Sequence, residues 1–203
     1  MKPVLYYLYD PMCSWCWGFK PVWDQVRERL QGELGIVYVV GGLASETHTP
    51  MPDEMRTYLQ QAWRKVSEHT GVSFNHDFWS LNTPRRSTYP ACKAVLVARQ
   101  SGLELEMYAA IQQLYYQKAG NPSEYENLYL LAEDLGLERE RFIDQIHSNE
   151  IDALLQQEIM LTEQLGAQGF PSLVSQHDGT TRFIEHSYTD VEQNLRKIRS
   201  LLI

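Results

Sequence analysis

Cysteine is scarce in this sequence, since a chain of 203 residues contains only Cys13, Cys16 and Cys92. Domains that are held together by disulfides use a far higher density of cysteines, and cytosolic thiols are normally kept reduced. Three cysteines in a chain of this length therefore argue against a disulfide scaffold. The remaining interpretations of the Cys13 and Cys16 pair are half of a zinc site and a redox-active dithiol.

Positive charge is also in deficit, with 18 Lys and Arg against 26 Asp and Glu and a net charge of −8. A nucleic-acid surface needs clustered cations to neutralise phosphates, so nucleic acid is excluded as a partner. No apolar run approaches the roughly 20 residues of a membrane-spanning helix. The N-terminus "MKPVLYYLYD" lacks the apolar segment and cleavage site of a secretory leader. We therefore predict a cytoplasmic protein with no membrane partner.

The first part of the chain has the pattern of a βαβ unit. "VLYYLY" at 4–9 is an apolar run of strand length, and "DPMCSWCWG" supplies the turn that follows it. Apolar residues recur at helical spacing from Pro21 to Leu30, which predicts a helix that starts just past the cysteines. "GIVYVVGG" at 35–42 is typical of a buried parallel strand. The CxxC motif therefore lies at the joint between a strand and a helix.

The rest of the chain is predicted as a helical block followed by two strands and a helix. After the block, "FPSLVSQ", the turn "HDGT" and "TRFIEH" indicate a β-hairpin, and "DVEQNLRKIRSLLI" indicates an amphipathic helix. The fold class is α/β, with one domain formed by 1–43 and 167–203 and a helical insertion at 44–166. Pro- and Gly-containing breaks separate the helices that we predict within the insertion near 52–69, 88–101, 104–118, 123–135, 138–147 and 150–165.

The zinc interpretation of the CxxC lacks further ligands. A structural zinc site needs four, and the sequence has neither a second CxxC nor a His pair at ligand spacing. A redox dithiol needs only the two cysteines. Cys92 lies in the helical stretch "YPACKAVLVARQ", where we predict an inert, buried thiol.

The whole chain resembles a known family. The βαβ and ββα halves, the N-terminal CxxC and "GFPS" before the third strand resemble the thioredoxin fold. The helical block between them is similar to that of DsbA-type disulfide oxidoreductases, and "DPMCSWCWGF" resembles the FrnE-like subgroup of protein-disulfide isomerases. The resemblance implies an oxidoreductase or isomerase without a cofactor. Its partners would be protein or peptide thiols and disulfides, with glutathione as a further one.

The two cysteines of the motif have different expected roles. Cys13 lies where a helix begins, and the unpaired N–H groups and dipole of that helix favour a thiolate. We therefore predict that Cys13 is the attacking sulfur and that Cys16, one turn later, is the resolving thiol. Ser14 and Trp15 lie between them and are expected to tune the redox potential. Asp10 is either a proton relay for Cys16 or a turn residue.

The resemblance also implies roles outside the motif. The matching proline of the thioredoxin fold is cis, abuts the CxxC and keeps metal away from it, which makes Pro171 a functional residue. Phe170 would offer backbone groups to an extended substrate. Together with Ser14, the aromatic residues Trp15, Trp17 and Phe170 are expected to form the substrate surface. Since the motif carries no cation beyond Lys20, we expect peptides to react faster than glutathione disulfide.

One alternative family shares this architecture. Kappa-type glutathione transferases and isomerases carry a helical insertion in the same place, but they have a serine near the position of Cys13 and lack a resolving cysteine. Cys16 argues against that assignment.

Overall fold

A computed structural model of the chain describes residues 4–201 and contains a four-stranded sheet in the order β2-β1-β3-β4. Strand β1 pairs in parallel with β2 and antiparallel with β3, which in turn pairs antiparallel with β4. This is the thioredoxin arrangement that the sequence predicts. The strands are β1 Val4–Tyr9, β2 Gly35–Val40, β3 Ser172–His177 and β4 Thr180–Ile184.

Helices α2 to α8 lie between β2 and β3 in the chain, which confirms the predicted helical insertion in the thioredoxin fold. Its exact limits at 44 and 166 stay a prediction. Across the described chain, none of the helices has the length and apolar character needed to cross a membrane. The helices are α1 Ser14–Arg29, α2 Asp53–Thr70, α3 Phe78–Leu81, α4 Tyr89–Arg99, α5 Glu104–Tyr116, α6 Tyr125–Asp134, α7 Arg139–Ile146, α8 Asn149–Gln164 and α9 Val191–Ser200.

Helix α1 begins earlier than its sequence predicts. We place its start at Pro21 from the apolar spacing, but the helix begins at Ser14 and Pro21 lies inside it. A proline within a helix loses one backbone hydrogen bond. The apolar face of α1 offsets that loss, because Cys16, Phe19 and Val26 are each completely buried in the core.

Trp17 of α1 joins the helical insertion to the sheet domain. Trp17 is buried, its ring stacks on Tyr116 with centroids 5.6 Å apart, and its Nε1 donates to the Ser73 carbonyl at 3.1 Å. Tyr116 belongs to an aromatic cluster around Trp63 within the insertion. The residue directly after Cys16 therefore anchors the insertion beside the dithiol.

A charged network also connects the insertion to the sheet. Arg99 forms ion pairs with Glu158 and, at 2.7 Å, with Glu104. The Glu158 carboxylate accepts a hydrogen bond from the Val40 backbone N–H at 2.7 Å, and the Arg99 guanidinium donates to the Tyr38 carbonyl at 3.2 Å. Charges in a buried setting are tolerated when they are paired in this way. The network holds α4 and α8 against the edge strand β2.

Candidate active site

The turn between β1 and α1 positions Cys13. The Asp10 backbone carbonyl accepts a hydrogen bond from the Cys13 N–H at 3.0 Å, and the Asp10 carboxylate accepts one from the Met12 N–H at 2.8 Å. Cys13 occupies the N-cap position of α1 with extended backbone angles, and no side chain caps the helix there. The Cys13 sulfur therefore lies at the positive end of a 16-residue helix.

The proline loop lies against Cys13. The Cys13 thiol donates a hydrogen bond to the Phe170 carbonyl oxygen, with 3.2 Å between sulfur and oxygen. The Phe170–Pro171 peptide bond is cis, as the resemblance implies. The side chain of Cys13 remains 7% exposed, whereas those of Cys16 and Cys92 have no exposed surface. Of the three thiols, Cys13 is the accessible one.

Gly41 makes room for the ring of Phe170. A Cβ atom built on Gly41 would lie 1.8 Å from Cζ of Phe170, far inside any permitted contact. The glycine directly after β2 thus allows the Phe170 ring to pack over the sheet and to keep its carbonyl at Cys13.

We expect Gly41→Ala to force the Phe170 ring out of its place and to lower the free energy of unfolding by about 1–3 kcal/mol. Gly35→Ala is the matched control in β2, because a Cβ at Gly35 meets no atom within 4 Å. Chemical denaturation of the two variants measures the difference. Equal stabilities would show that the Phe170 ring has no need of the space.

Cys16 is held in a different environment from Cys13. Burial raises the pKa of the Cys16 thiol well above its ordinary value, and the hydrogen bond and charge of the Cys13 sulfur raise it further. Cys16 is therefore held as a protonated thiol near neutral pH in this structure. Both cysteines are free thiols in this structure.

Asp10 forms a buried polar centre beneath the motif. Its Oδ2 accepts hydrogen bonds from the Leu43 N–H at 2.8 Å, the Thr88 hydroxyl at 2.8 Å and the Cys92 thiol at 3.5 Å. Burial raises the pKa of the Asp10 carboxyl, and these hydrogen bonds oppose that effect. Asp10 is therefore more than a local turn residue, since it joins the active-site turn, the loop after β2 and α4.

Cys92 is buried, as its sequence context predicts, but it is not remote from the site. Burial raises the pKa of the Cys92 thiol well above its usual range, and the neighbouring Asp10 adds to the effect. Among residues 4–201, no three His, Cys, Asp or Glu side chains are grouped so that they could hold a metal ion.

Two hollows lie beside the motif, and both are lined by Trp15 and Phe170. We call the first the inner cleft; it has a volume of about 210 Å³ and lies between the motif and the helical insertion. The second, the outer groove, is shallower and has a volume of about 390 Å³. The inner cleft is lined by Cys13, Ser14, Trp15, Arg85, Arg86 and Phe170, among others. The outer groove is lined by Trp15, His69, Phe170, Pro171, Ser172 and Tyr188 together with Gly169.

The structure thus brings together most of the residues that the sequence suggests. Ser14, Trp15, Phe170 and Pro171 all line one or both hollows. Trp17 lines neither of them, because it points into the helical insertion.

Four residues at the site are not predicted from the sequence. His69 and Tyr188 pack edge-on against Trp15, with ring centroids 5.9 and 5.0 Å away. Arg85 and Arg86 enter the inner cleft from the loop before α4. Lys20, the only cation near the motif in the sequence, pairs with Asp24 at 2.7 Å instead. A motif-based search cannot find residues that arrive from distant parts of the chain.

The fold and this site define a class of protein, the thioredoxin-fold thiol–disulfide oxidoreductases. The sequence profile described as "DSBA-like thioredoxin domain" matches residues 5–194. The chain therefore belongs to the DsbA-like thioredoxin domain family.

Solved structures of similar proteins agree with that placement. A candidate protein disulfide isomerase from Nitrosomonas europaea is 30% identical, with a TM-score of 0.86, and the match covers 100% of this chain and 98% of that one. The cytosolic disulfide reductase DsbM from Pseudomonas aeruginosa is 26% identical, with a TM-score of 0.81 and 98% of both chains covered. A second structure of DsbM, with GSH, is 25% identical over 98% of both chains and has a TM-score of 0.80.

Curated relatives are more distant and longer. The ClpXP adapter protein SpxH of Bacillus subtilis is 24% identical over 196 residues, which are 93% of this chain and 64% of SpxH. SpxH of Halalkalibacterium halodurans is 23% identical over 184 residues, which are 87% of this chain and 60% of that protein. The chain thus spans less than two thirds of the length of these relatives.

Proposed function

We propose that this protein catalyses thiol–disulfide exchange with Cys13 as the nucleophile and Cys16 as the resolving thiol. The observation that carries the proposal is the position of the Cys13 sulfur. It lies at a helix N-terminus, 3.2 Å from the Phe170 carbonyl, and it borders the inner cleft. Cys16 is buried behind it, where a resolving sulfur is protected from unproductive reactions.

The reaction proceeds in two exchanges. The Cys13 thiolate attacks one sulfur of a substrate disulfide, forms a mixed disulfide and releases the other sulfur as a thiolate that takes up a proton. Cys16 then loses its proton, attacks the Cys13 sulfur and displaces the second substrate sulfur as a thiol. The substrate gains two electrons and two protons, and the protein is left with a Cys13–Cys16 disulfide.

We assign reduction of protein or peptide disulfides in the cytoplasm as the direction of flux, with glutathione as the recycling thiol. The similarity to DsbM, a cytosolic disulfide reductase that has been solved with GSH, supports this choice. Two glutathione thiols would reduce the Cys13–Cys16 disulfide by the same two exchanges and leave as glutathione disulfide.

The test of the proposed function is to incubate the reduced protein with a peptide disulfide and to analyse its thiols by mass spectrometry. We expect the protein to lose two hydrogen atoms and to contain one disulfide, between Cys13 and Cys16, with Cys92 still free. Equilibration of that disulfide with glutathione then gives its redox potential. The proposed roles are contradicted if the mass of the protein is unchanged after incubation with the peptide disulfide, or if the disulfide that forms contains Cys92.

The order of thiol alkylation is a further expectation. Cys13 should react with iodoacetamide in the native protein well before Cys16 and Cys92, because it alone is accessible and lies at a helix terminus. Burial raises the pKa of both other thiols, which slows them at every pH near neutrality. Mass spectrometry of digests taken over a range of pH gives the three rates, and unfolding in denaturant should make them similar. Equal rates in the native protein would falsify this order.

A further inference from the structure

Two arginines concentrate positive charge where the substrate sulfur reacts. Arg85 and Arg86 line the inner cleft together with Cys13, although the chain as a whole carries a net charge of −8. An acidic protein repels acidic small molecules at long range, so a local pair of cations changes what the cleft attracts.

The two arginines are not equivalent. The Arg85 side chain is 15% exposed, forms an ion pair with Glu124 at 2.6 Å and donates to the Ser123 carbonyl at 2.9 Å. Its charge is therefore largely balanced within the protein. Arg85 holds the loop before α4 in position rather than offering itself to a ligand.

Arg86 is partly buried, and within the described part of the chain it forms no ion pair and no hydrogen bond. Tyr115 also lines the cleft. Burial raises the pKa of Tyr115, and the positive charge of Arg86 opposes that rise. A guanidinium has five donors in a planar fork that fits a carboxylate. The Ser14 hydroxyl, in the same cleft, is likewise without a hydrogen-bond partner among residues 4–201.

We propose that Arg86 binds a carboxylate of the thiol or disulfide that reacts at Cys13, so that the inner cleft selects acidic sulfur compounds. This inference rests on the proposed role of Cys13. A cleft of about 210 Å³ is smaller than the several hundred Å³ of a typical ligand pocket. It accommodates one carboxylate-bearing arm, while the rest of the substrate extends past Trp15 into the outer groove.

The carboxylate has two possible sources, free glutathione and an acidic residue beside the cysteine of a peptide. The charge-assisted contact is the same for both. The sequence predicts faster reaction with peptides than with glutathione disulfide because the motif has no free cation. Arg86 supplies such a cation from outside the motif, so that reason no longer applies.

The experiment measures exchange rate constants of the reduced protein by stopped-flow tryptophan fluorescence. Three disulfides are compared: glutathione disulfide, a peptide disulfide with Glu beside each cysteine and the same peptide with Gln. The proteins are the wild type, Arg86→Gln, Arg86→Lys and the control Lys20→Gln. Lys20→Gln removes the same charge near the motif but outside the inner cleft.

We expect Arg86→Gln to slow the reaction with acidic disulfides roughly tenfold and to leave the neutral peptide unchanged. Arg86→Lys should recover part of the loss, since it restores the charge without the fork. Lys20→Gln should behave as the wild type, and added salt should weaken the preference for acidic disulfides. A loss for glutathione disulfide alone identifies free glutathione as the ligand, whereas a loss for both acidic disulfides identifies a carboxylate in general.

Two results overturn the inference: a wild type that reacts equally with acidic and neutral peptides, or an Arg86→Gln variant that slows all three disulfides alike. Thermal melting of each variant shows whether it is folded. A wild type that exchanges with none of the three disulfides contradicts the proposed function itself, which keeps the two failures distinguishable.

Discussion

Cys13→Ser is expected to lower the rate of disulfide exchange by more than ~1,000-fold, because the hydroxyl of serine does not ionise near neutral pH and cannot replace the attacking thiolate. Cys92→Ser is the matched control. It removes a thiol but keeps a donor for Asp10, so exchange should continue at close to the wild-type rate. Reduction of a fluorescent peptide disulfide measures both variants.

Cys16→Ser completes the assignment of roles. Without the resolving sulfur the first exchange still occurs, and a mixed disulfide between Cys13 and the substrate should accumulate. Non-reducing electrophoresis or intact-mass analysis detects that species. If Cys13→Ser variants accumulated it instead, the roles of the two cysteines would be reversed.

Asp10→Ala is expected to lower the free energy of unfolding by about 2–4 kcal/mol, because the substitution leaves several buried donors without an acceptor. Those donors are the N–H groups of Met12 and Leu43 and the hydroxyl of Thr88. Asp134→Ala is the control, since Asp134 is exposed at the end of α6 and its loss should change stability by less than about 0.5 kcal/mol. Urea denaturation compares them, and equal losses would show that the Asp10 network is not needed for folding.

The same carboxyl should make stability depend on pH. The pKa of Asp10 is raised in the folded protein above the ordinary value of 3.8, so the folded state holds the proton more tightly than the unfolded state does. The resulting stabilisation is present below 3.8 and is lost as pH rises through the folded pKa. Asp10→Asn does not titrate. The stability of the wild type relative to Asp10→Asn should therefore fall with rising pH over that window, and a constant difference would contradict the assignment.

Regular elements could be predicted from the sequence where their periodicity is long or their turn chemistry specific. The hairpin turn is an example, since Asp178 and Gly179 both have positive φ values, 47° and 76°, as its sequence requires. Short or interrupted elements could not. Helix α3 spans only four residues, Phe78–Leu81, which is too short to show a helical period. The start of α1 at Ser14 could not be predicted because Pro21 lies inside the helix, whose first turns are stabilised by tertiary packing.

Some residues of the candidate site could be predicted from the sequence and others could not. The motif and the resemblance indicate Cys13, Cys16 and the proline loop, because those residues form local patterns in the sequence. The arginines of the inner cleft and the aromatic partners of Trp15 arrive from the insertion and from the segment after β4. Their convergence depends on how the insertion packs on the sheet, which no local pattern encodes.

The hydrogen bond from the Cys13 thiol to the Phe170 carbonyl has a consequence for product release. The donor hydrogen exists only while Cys13 is a thiol, and it is lost when Cys13 enters a mixed disulfide. In the proposed reaction, the carbonyl is then free to accept a backbone N–H of the attached peptide. The peptide leaves when Cys16 attacks Cys13, and once the recycling thiol has returned Cys13 to the thiol form, the Cys13 hydrogen again competes for that oxygen. By this scheme, the reduced protein limits its affinity for the chains that it has already processed.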